Sequence, residues 1–332
     1  MIYIRNDSLD PHFNLAAEEY TLETFPGDVF MLWRNSRSVI LGKNQNAYSE
    51  INLDFARESG IKIVRRLTGG GCVFHDPGNV NFTYITDHDK SKVLNFEYFT
   101  LPVISALKSL GVEARLEGRN DLLIGNEKFS GNAQCVYKTK SGQTRIMHHG
   151  TILYSADMSS LAEVLKPDED KIISKSVKSV RSRVTNVADH LPEDRRMPVV
   201  EFFGYLEKFI AGGSDCVRHT LTEEDNDNIE ALAVSKYRTS EFLYGSNIAY
   251  EFRKKKRFSF GGIEVCFFVR EGKLTDVKIH GDFFGERDIS ELERKFEGAY
   301  HNAEAIIAVA ESVGTNDYIS GSKPEDIAEL LL

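Results

Sequence analysis

The stretch Arg65-Arg66-Leu67-Thr68-Gly69-Gly70-Gly71-Cys72-Val73-Phe74-His75-Asp76-Pro77-Gly78-Asn79-Val80-Asn81-Phe82 decides how this chain is read. Three consecutive glycines between two apolar runs free the backbone for positive φ angles and close approach to a ligand, and successive N–H groups there can cradle a carboxylate or a phosphate. The spacing is neither GxxxxGK[ST] nor GxGxxG, which sets aside those two phosphate-binding folds. A flexible hairpin is the plain alternative for the glycines alone. Arg65 and Arg66 alternate faces on the incoming strand, so one of them points toward the core, and a half-buried guanidinium wants an anion that its planar fork can grip. His75, Asn79 and Asn81 add polar groups beyond the loop. For His75 two readings stand, a histidine bracing the hairpin or a direct ligand.

Outward from this stretch, IKIVRRL (61–67), CVFHD (72–76) and VNFTYIT (80–86) read as neighbouring strands, preceded by strands at 29–33 and 38–43 and a helix near 52–59. Asn14 followed by LAAEEYTLETF reads as a capped amphipathic helix. Residues 96–110 have a helical period, with Pro102 either kinking the helix or marking its first turn. Short strands follow at 112–116, 122–124, 127–130 and 144–154. The charged, Ser-rich segment 166–187 reads as a surface loop. Helices at 198–211 and 222–236 close the first part, and the turn-rich 237–247 is the candidate boundary. Strands at 249–258, 263–270 and 274–280 and helices at 288–297, 302–313 and 324–331 then make a small α+β domain.

At 332 residues the chain is long enough for two domains. Fifty acidic against 41 basic residues leave a net charge of −9, which argues against a dedicated duplex-DNA binder. The four cysteines, Cys72, Cys135, Cys216 and Cys266, have no CxxC or Cys/His spacing, so neither a zinc site nor a disulfide framework is expected. Charge at Arg5 and Asp7 interrupts any apolar leader, and no stretch approaches a membrane span, which gives the expectation of a cytosolic protein.

A second cluster, GRNDLLIGNEKFSGNA (118–133), places Lys128 between a turn and a strand, followed by the small Ser130 and Gly131. Such a lysine is either a surface strand residue or a point charge presented to a reacting phosphoester or acyl oxygen. The basic run Arg253-Lys254-Lys255-Lys256-Arg257 reads as a solvated edge or as a surface that steers an acidic partner.

Taken together, RRLTGGGCVFHDPGNVNF, GRNDLLIGNEKFSGNAQ, HHGTILY (148–154) and KSVRSRVTNV (178–187) resemble the lipoate–protein ligase A family, within the biotin/lipoate protein ligase superfamily. The resemblance implies an α+β fold: a large catalytic domain of mixed sheets flanked by helices, residues 1–245, with a small α+β C-terminal accessory domain, residues 246–332. It implies ATP-dependent activation of lipoate to lipoyl-AMP and transfer of the lipoyl group to a lysine of an acceptor domain. Lys128 matches the family's catalytic lysine. Arg66, Gly70, Gly71, Cys72, Val73, Phe74, His75, Asn81, Asp121 and His149 are the implied substrate- and nucleotide-binding residues. ATP, lipoate and Mg2+ accompanying the nucleotide are the implied small molecules. The implied partners are lipoyl domains of oxo-acid dehydrogenase complexes or the glycine-cleavage H protein, with no nucleic acid or membrane, for a monomeric enzyme. Cys72 departs from the family's usual alanine. It is read as a small packing residue, while the runner-up function, ATP-independent acyl transfer between carrier proteins, would use a cysteine thioester. The need to keep water from an acyl-adenylate further predicts that the tail acts as a lid.

Overall fold

The computed structural model describes residues 1–157, 164–165, 184–212, 215–245 and 250–332. Its central element is β2 (Val29–Trp33), buried at all five positions, as expected of an apolar run covered on both faces. Alternate side chains leave β2 in opposite directions. Phe30 and Leu32 join one core with Phe82 and Val103, whereas Val29, Met31 and Trp33 join another with Leu15 and Ile229.

Around β2 the main sheet runs β11 (Val217–His219), β1 (Ile2–Arg5), β2, β6 (Asn79–Asp87), β10 (Thr144–Leu153), β9 (Glu127–Lys138), β8 (Asp121–Ile124), β7 (Ala114–Glu117). The β11, β1 and β2 strands are parallel and the rest pair antiparallel. Beside it lies a three-stranded sheet in which β3 (Ser38–Leu41) pairs parallel with β4 (Lys62–Arg65) and antiparallel with β5 (Val73–His75). The glycine run is the connection from β4 to β5. Helix α1 (Pro11–Thr24) covers one face of the main sheet. On the other face lie α4 (Phe96–Ser109) and α5 (Val199–Ala211). In the tail, β12 (Phe252–Phe258), β13 (Gly261–Arg270) and β14 (Lys273–Gly281) form an antiparallel sheet with its own core, which includes Ile263, Leu292, Ile306 and Ile327. The architecture is thus α+β, with mixed sheets flanked by helices.

Several expectations need correction. Helix α1 starts at Pro11 with Asp10 as its cap, its side chain accepting from His12 N; Asn14 lies inside the helix. The Asn14 amide is instead buried in a side-chain network with Asn6 and Asn35, a role that its small polar side chain does not announce. Strand β9 continues through Lys138 rather than ending near 130, because antiparallel pairing to β10 overrides the weak strand preference of its small residues. Pro102 lies within α4, beyond its first turn. The turn-rich 237–247 contains a short helix, Ser240–Tyr244. Most of the 166–187 surface-loop expectation, the Lys178–Arg183 part of the fourth motif and the start of the tail at 246–249 fall outside the described residues.

Candidate active site

The two arginines and the glycine run fold into one unit. The Arg66 guanidinium is buried and donates through Nη2 to the carbonyls of Gly69 (2.6 Å) and Gly71 (2.9 Å), through Nη1 to Ile40 O (3.1 Å) and through Nε to Thr68 Oγ1 (2.9 Å). Arg65 donates to the carbonyls of Gly42, Lys43, Gln45, Phe242 and Leu243. Each guanidinium is gripped by protein oxygens. Both act as braces, a role invisible in a one-dimensional reading because the carbonyls come from distant loops. No carboxylate among the described residues forms an ion pair with either, and burial pushes both pKa values down to about 10, so both stay charged at neutral pH. Gly70 adopts φ +87°, and a Cβ there would lie 3.1 Å from Arg66 Nη2, so the closed loop requires glycine.

This loop forms one wall of a cavity of about 120 Å3. Lys128 stands on the facing wall because of a β-bulge. The register between β8 and β9 shifts at Leu122/Leu123, so that Ser130 pairs with Leu122 but Lys128 with Leu123, leaving Phe129 as the extra residue. Strict alternation would put Lys128 on the face opposite Gly131 and Ala133. The bulge brings all three to the cavity while Phe129 enters the core. Lys128 Nζ lies 2.7 Å from Asp121 Oδ1, and a Cβ on Gly131 would come within 3.1 Å of that amine. Asn120 Nδ2 donates to Asn132 O (2.8 Å) and Asn132 Nδ2 to Asn120 O (3.2 Å), pinning the GRND loop to β9.

The adjacent histidines on β10 diverge. His148 enters the aromatic core, stacked on Phe99 with centroids 4.9 Å apart, and burial holds its pKa well below the ordinary value. His149 faces the cavity, with Nδ1 2.8 Å from Glu18 Oε1 and Nε2 2.7 Å from Thr68 Oγ1. Thr68 Oγ1 also accepts from Arg66 Nε, so one chain of hydrogen bonds joins Glu18, His149 and Thr68 to the arginine that holds the glycine loop. Glu18 was missed by the sequence reading. Its position inside α1 amid LAAEEY gave only a pair of ordinary helix formers, although a carboxylate 1% exposed is a strong signal once folded.

His75 is buried and accepts at Nδ1 from Asn35 (3.0 Å), which leaves Nε2–H as a donor without a protein partner. Burial, Arg66 and His149 push its pKa down to about 3. Asn81 accepts at Oδ1 from Asn79 (2.7 Å), and its buried Nδ2 is likewise unpartnered. Both residues line the cavity, as do Gly70, Gly71, Cys72 and Val73. Phe74 does not: its side chain packs with Val39 and Leu41 on the far side of β5, because neighbouring strand residues face opposite ways. Leu15, Trp33 and Ile40 give the cavity an apolar end.

The tail closes over the glycine loop. Phe283 O accepts from Gly70 N (3.3 Å), and Phe284 packs with Phe96 and Ala133, beneath the Arg119 guanidinium at 4.5 Å. The basic run is largely neutralised on its own domain: Arg253 pairs with Glu264 (2.6 Å), Lys256 with Glu329 (2.6 Å) and Arg257 with Asp282 (3.2 Å). That pairing removes most of the charge on which a steering role rests.

Comparison with known proteins gives this arrangement its place. Residues 10–210 match the model of the lipoyl protein ligase A/B catalytic domain, and residues 247–331 match that of the bacterial lipoate protein ligase C-terminus. The chain belongs to the lipoate–protein ligase family. Lipoate-protein ligase LplJ of Bacillus subtilis is 40% identical over 337 residues, covering 100% of both chains. Among solved structures, P. falciparum LipL1 in complex with lipoate is 26% identical with a TM-score of 0.76, covering 99% of this chain and 98% of that one. A bi-partite ligase from Thermoplasma acidophilum, described with its E2 lipoyl domain, is 27% identical with a TM-score of 0.63, covering 75% and 98%. A lipoate-protein ligase A bound with ATP is 26% identical with a TM-score of 0.61, covering 73% and 98%. The match to a ligase C-terminal domain favours a ligase over an ATP-independent acyltransferase. No helix among the described residues of this ligase is long and apolar enough to cross a membrane.

Proposed function

We propose that the cavity joins lipoate to the AMP moiety of ATP and passes the lipoyl group to a lysine of an acceptor protein. The observation that carries this reading is the placement of Lys128, by a bulge, across one cavity from a glycine loop whose guanidinium has no carboxylate partner. In the first step a lipoate carboxylate oxygen attacks the α-phosphorus and pyrophosphate leaves with the electrons of the broken P–O bond. In the second, the acceptor amine attacks the acyl carbon, AMP leaves and the amine loses a proton. Both transition states gather negative charge on oxygens between the two walls. Lys128 Nζ, held by Asp121, stabilises that charge in each step. The backbone from Gly70 to Phe74, with the positive field of Arg66, receives the phosphate, and the unpartnered donors on His75 and Asn81 await acceptor atoms of the bound substrates. His149, fixed by Glu18, supports the loop through Thr68. The C8 chain and dithiolane carry no charge and suit the end lined by Leu15, Trp33 and Ile40.

No cluster of three His, Cys, Asp or Glu side chains that would hold a metal occurs among the described residues; Mg2+ accompanying the nucleotide would neutralise part of the phosphate charge. The acceptor is a lipoyl domain of an oxo-acid dehydrogenase complex or the glycine-cleavage H protein, met in the cytoplasm by a monomer. Residues 1–245 act as the catalytic domain and 246–332 as an accessory domain, supported by the separate core of the tail. Incubation of the pure protein with lipoate, ATP and a lipoyl domain tests the reading: pyrophosphate release stoichiometric with acyl transfer supports it. Transfer without pyrophosphate contradicts it.

A further inference from the structure

Asn14 and Asn35 have no part in the two steps above, yet both are buried, and a third buried asparagine, Asn6, joins them. Their hydrogen bonds run in one direction. Asn6, just after β1, donates through Nδ2 to Asn14 Oδ1 (2.9 Å). Asn14 Nδ2, from α1, lies 2.9 Å from Ser8 O, 2.8 Å from Arg34 O and 2.8 Å from Asn35 Oδ1. Backbone carbonyls only accept, so the Asn14 atom that Ser8 and Arg34 share is the amide nitrogen. The Asn35 atom facing it is then the oxygen, because a second NH2 group there would set donor against donor at 2.8 Å. That orientation leaves Asn35 Nδ2 against His75 Nδ1 at 3.0 Å.

An amide nitrogen donates and does not accept, so His75 Nδ1 offers a lone pair and carries no proton. Burial, with Arg66 and His149, holds the ring neutral, its pKa pushed down to about 3. The remaining proton is therefore on Nε2, the ring nitrogen without a protein partner. In a neutral histidine the bond made by one nitrogen decides the state of the other, and here that bond is fixed by the backbone carbonyls around Asn14. The Trp33 ring lies edge-on to the imidazole, centroids 6.2 Å apart, which puts His75 beside the apolar end of the cavity.

We propose that Asn14 and Asn35 are positioning residues for the acyl substrate: they hold the His75 proton on Nε2, so that the ring presents a donor to an acceptor atom of lipoate. The tautomer follows from the hydrogen bonds alone. The identity of the molecule that receives the donor rests on the ligase reading.

The test reads the ring directly. Two-bond proton–nitrogen NMR of the full-length protein with isotope-labelled histidine should show His75 at pH 7 with Nε2 protonated and Nδ1 bare. Asn35→Asp keeps the size of the side chain and the acceptor for Asn14, and it sets an acceptor against Nδ1, so the proton should move there. Where the ring of this variant is neutral, Nε2 has nothing to donate; where the ring is charged, both nitrogens donate. Relative to the parent at each pH, its KM for lipoate in a pyrophosphate assay should therefore rise about tenfold or more as Nε2 loses its proton, with KM for ATP within about twofold. Asn14→Ser, which frees the Asn35 amide to turn, should show both tautomers and a rise in the same direction. A side chain that only braces the fold would lower the melting temperature without tying KM to the state of the ring. A proton on Nδ1 of the parent overturns the assignment, and the parent spectrum decides this whether or not the variants fold. A KM for lipoate that ignores the state of Nε2, or an equal rise in KM for ATP, overturns the role in binding the acyl substrate. A parent that shows the Nε2 proton yet releases no pyrophosphate with lipoate counts against the function proposed above and against lipoate as the molecule held, while the tautomer stands.

Discussion

At the scale of single residues, the position of the Lys128 amine depends on what is missing opposite it. Gly131 supplies no Cβ, and adding one places a carbon 3.1 Å from Nζ and 3.4 Å from Cε. The end of a lysine moves easily, so Gly131→Ala should fold normally, with an unchanged melting temperature. Its rate of pyrophosphate release should nevertheless fall by about tenfold or more, because small misplacements of a charge-stabilising group are costly in rate. An unchanged rate would mean that the amine acts elsewhere. Asp121→Asn tests the partner of Lys128. Without the carboxylate the amine loses its anchor while keeping its charge, so kcat should fall more than KM for ATP rises, as steady-state kinetics would show. Lys128 itself was legible as a candidate from the residues around it, and Glu18 was not, because helix propensity says nothing about which of two adjacent glutamates will be buried.

At the scale of elements, β10 carries two neighbouring histidines to opposite faces of the sheet, and the one in the core has a pH signature. His148 and His75 are held neutral by burial, with folded pKa values depressed well below their ordinary value near 6.5. The unfolded chain therefore binds more protons than the folded one below pH 6.5, and stability falls as pH drops through that range. From pH 6.5 to 4.5 His75 contributes a loss of about 2 kcal/mol, and His148 a loss in the same direction. His12 and His280 are shifted in the same direction, whereas Asp10 and Asp225 lose their contributions only nearer the carboxylate range. Urea melts of His148→Phe, which keeps an aromatic ring against Phe99, should show a shallower loss over this window than the parent. Parallel curves would place His148 in a protonated state. The strand at 29–33 was readable because an apolar run covered on both faces is a strong local signal, and that at 80–86 because apolar and polar residues largely alternate in it. The bulge at Phe129 and the length of β9 were not, since both are set by pairing with β8 and β10 rather than by the residues themselves.

At the scale of the whole molecule, the tail is both a separate core and a cover. Phe284 lies against Phe96 and Ala133, Lys43 pairs with Asp288 at 2.8 Å, and Arg119 donates to the Phe260 carbonyl across the same junction. A covered site protects an acyl-adenylate from water, whereas admission of an acceptor lysine requires an opening. A chain ending near Ser246 should stay folded and bind preformed lipoyl-adenylate, yet make it from lipoate and ATP more slowly than the full chain. Equal rates of activation would reduce the tail to an accessory module. The strand and helix pattern after the turn-rich segment announced elements that here pack into a core of their own. The docking of Phe283 and Phe284 on the glycine loop was not legible, because nothing local to either segment specifies the other.

Lys128, delivered to the cavity by a bulge, is proposed to serve both half-reactions. Single-turnover assays of Lys128→Ala test it most directly, one following lipoyl-adenylate formed from lipoate and ATP, the other following transfer from preformed lipoyl-adenylate to a lipoyl domain. Loss of one charge that stabilises both transition states should slow each step by about 100- to 1,000-fold in a protein that remains folded. Adenylate formation within about threefold of the parent would contradict the account.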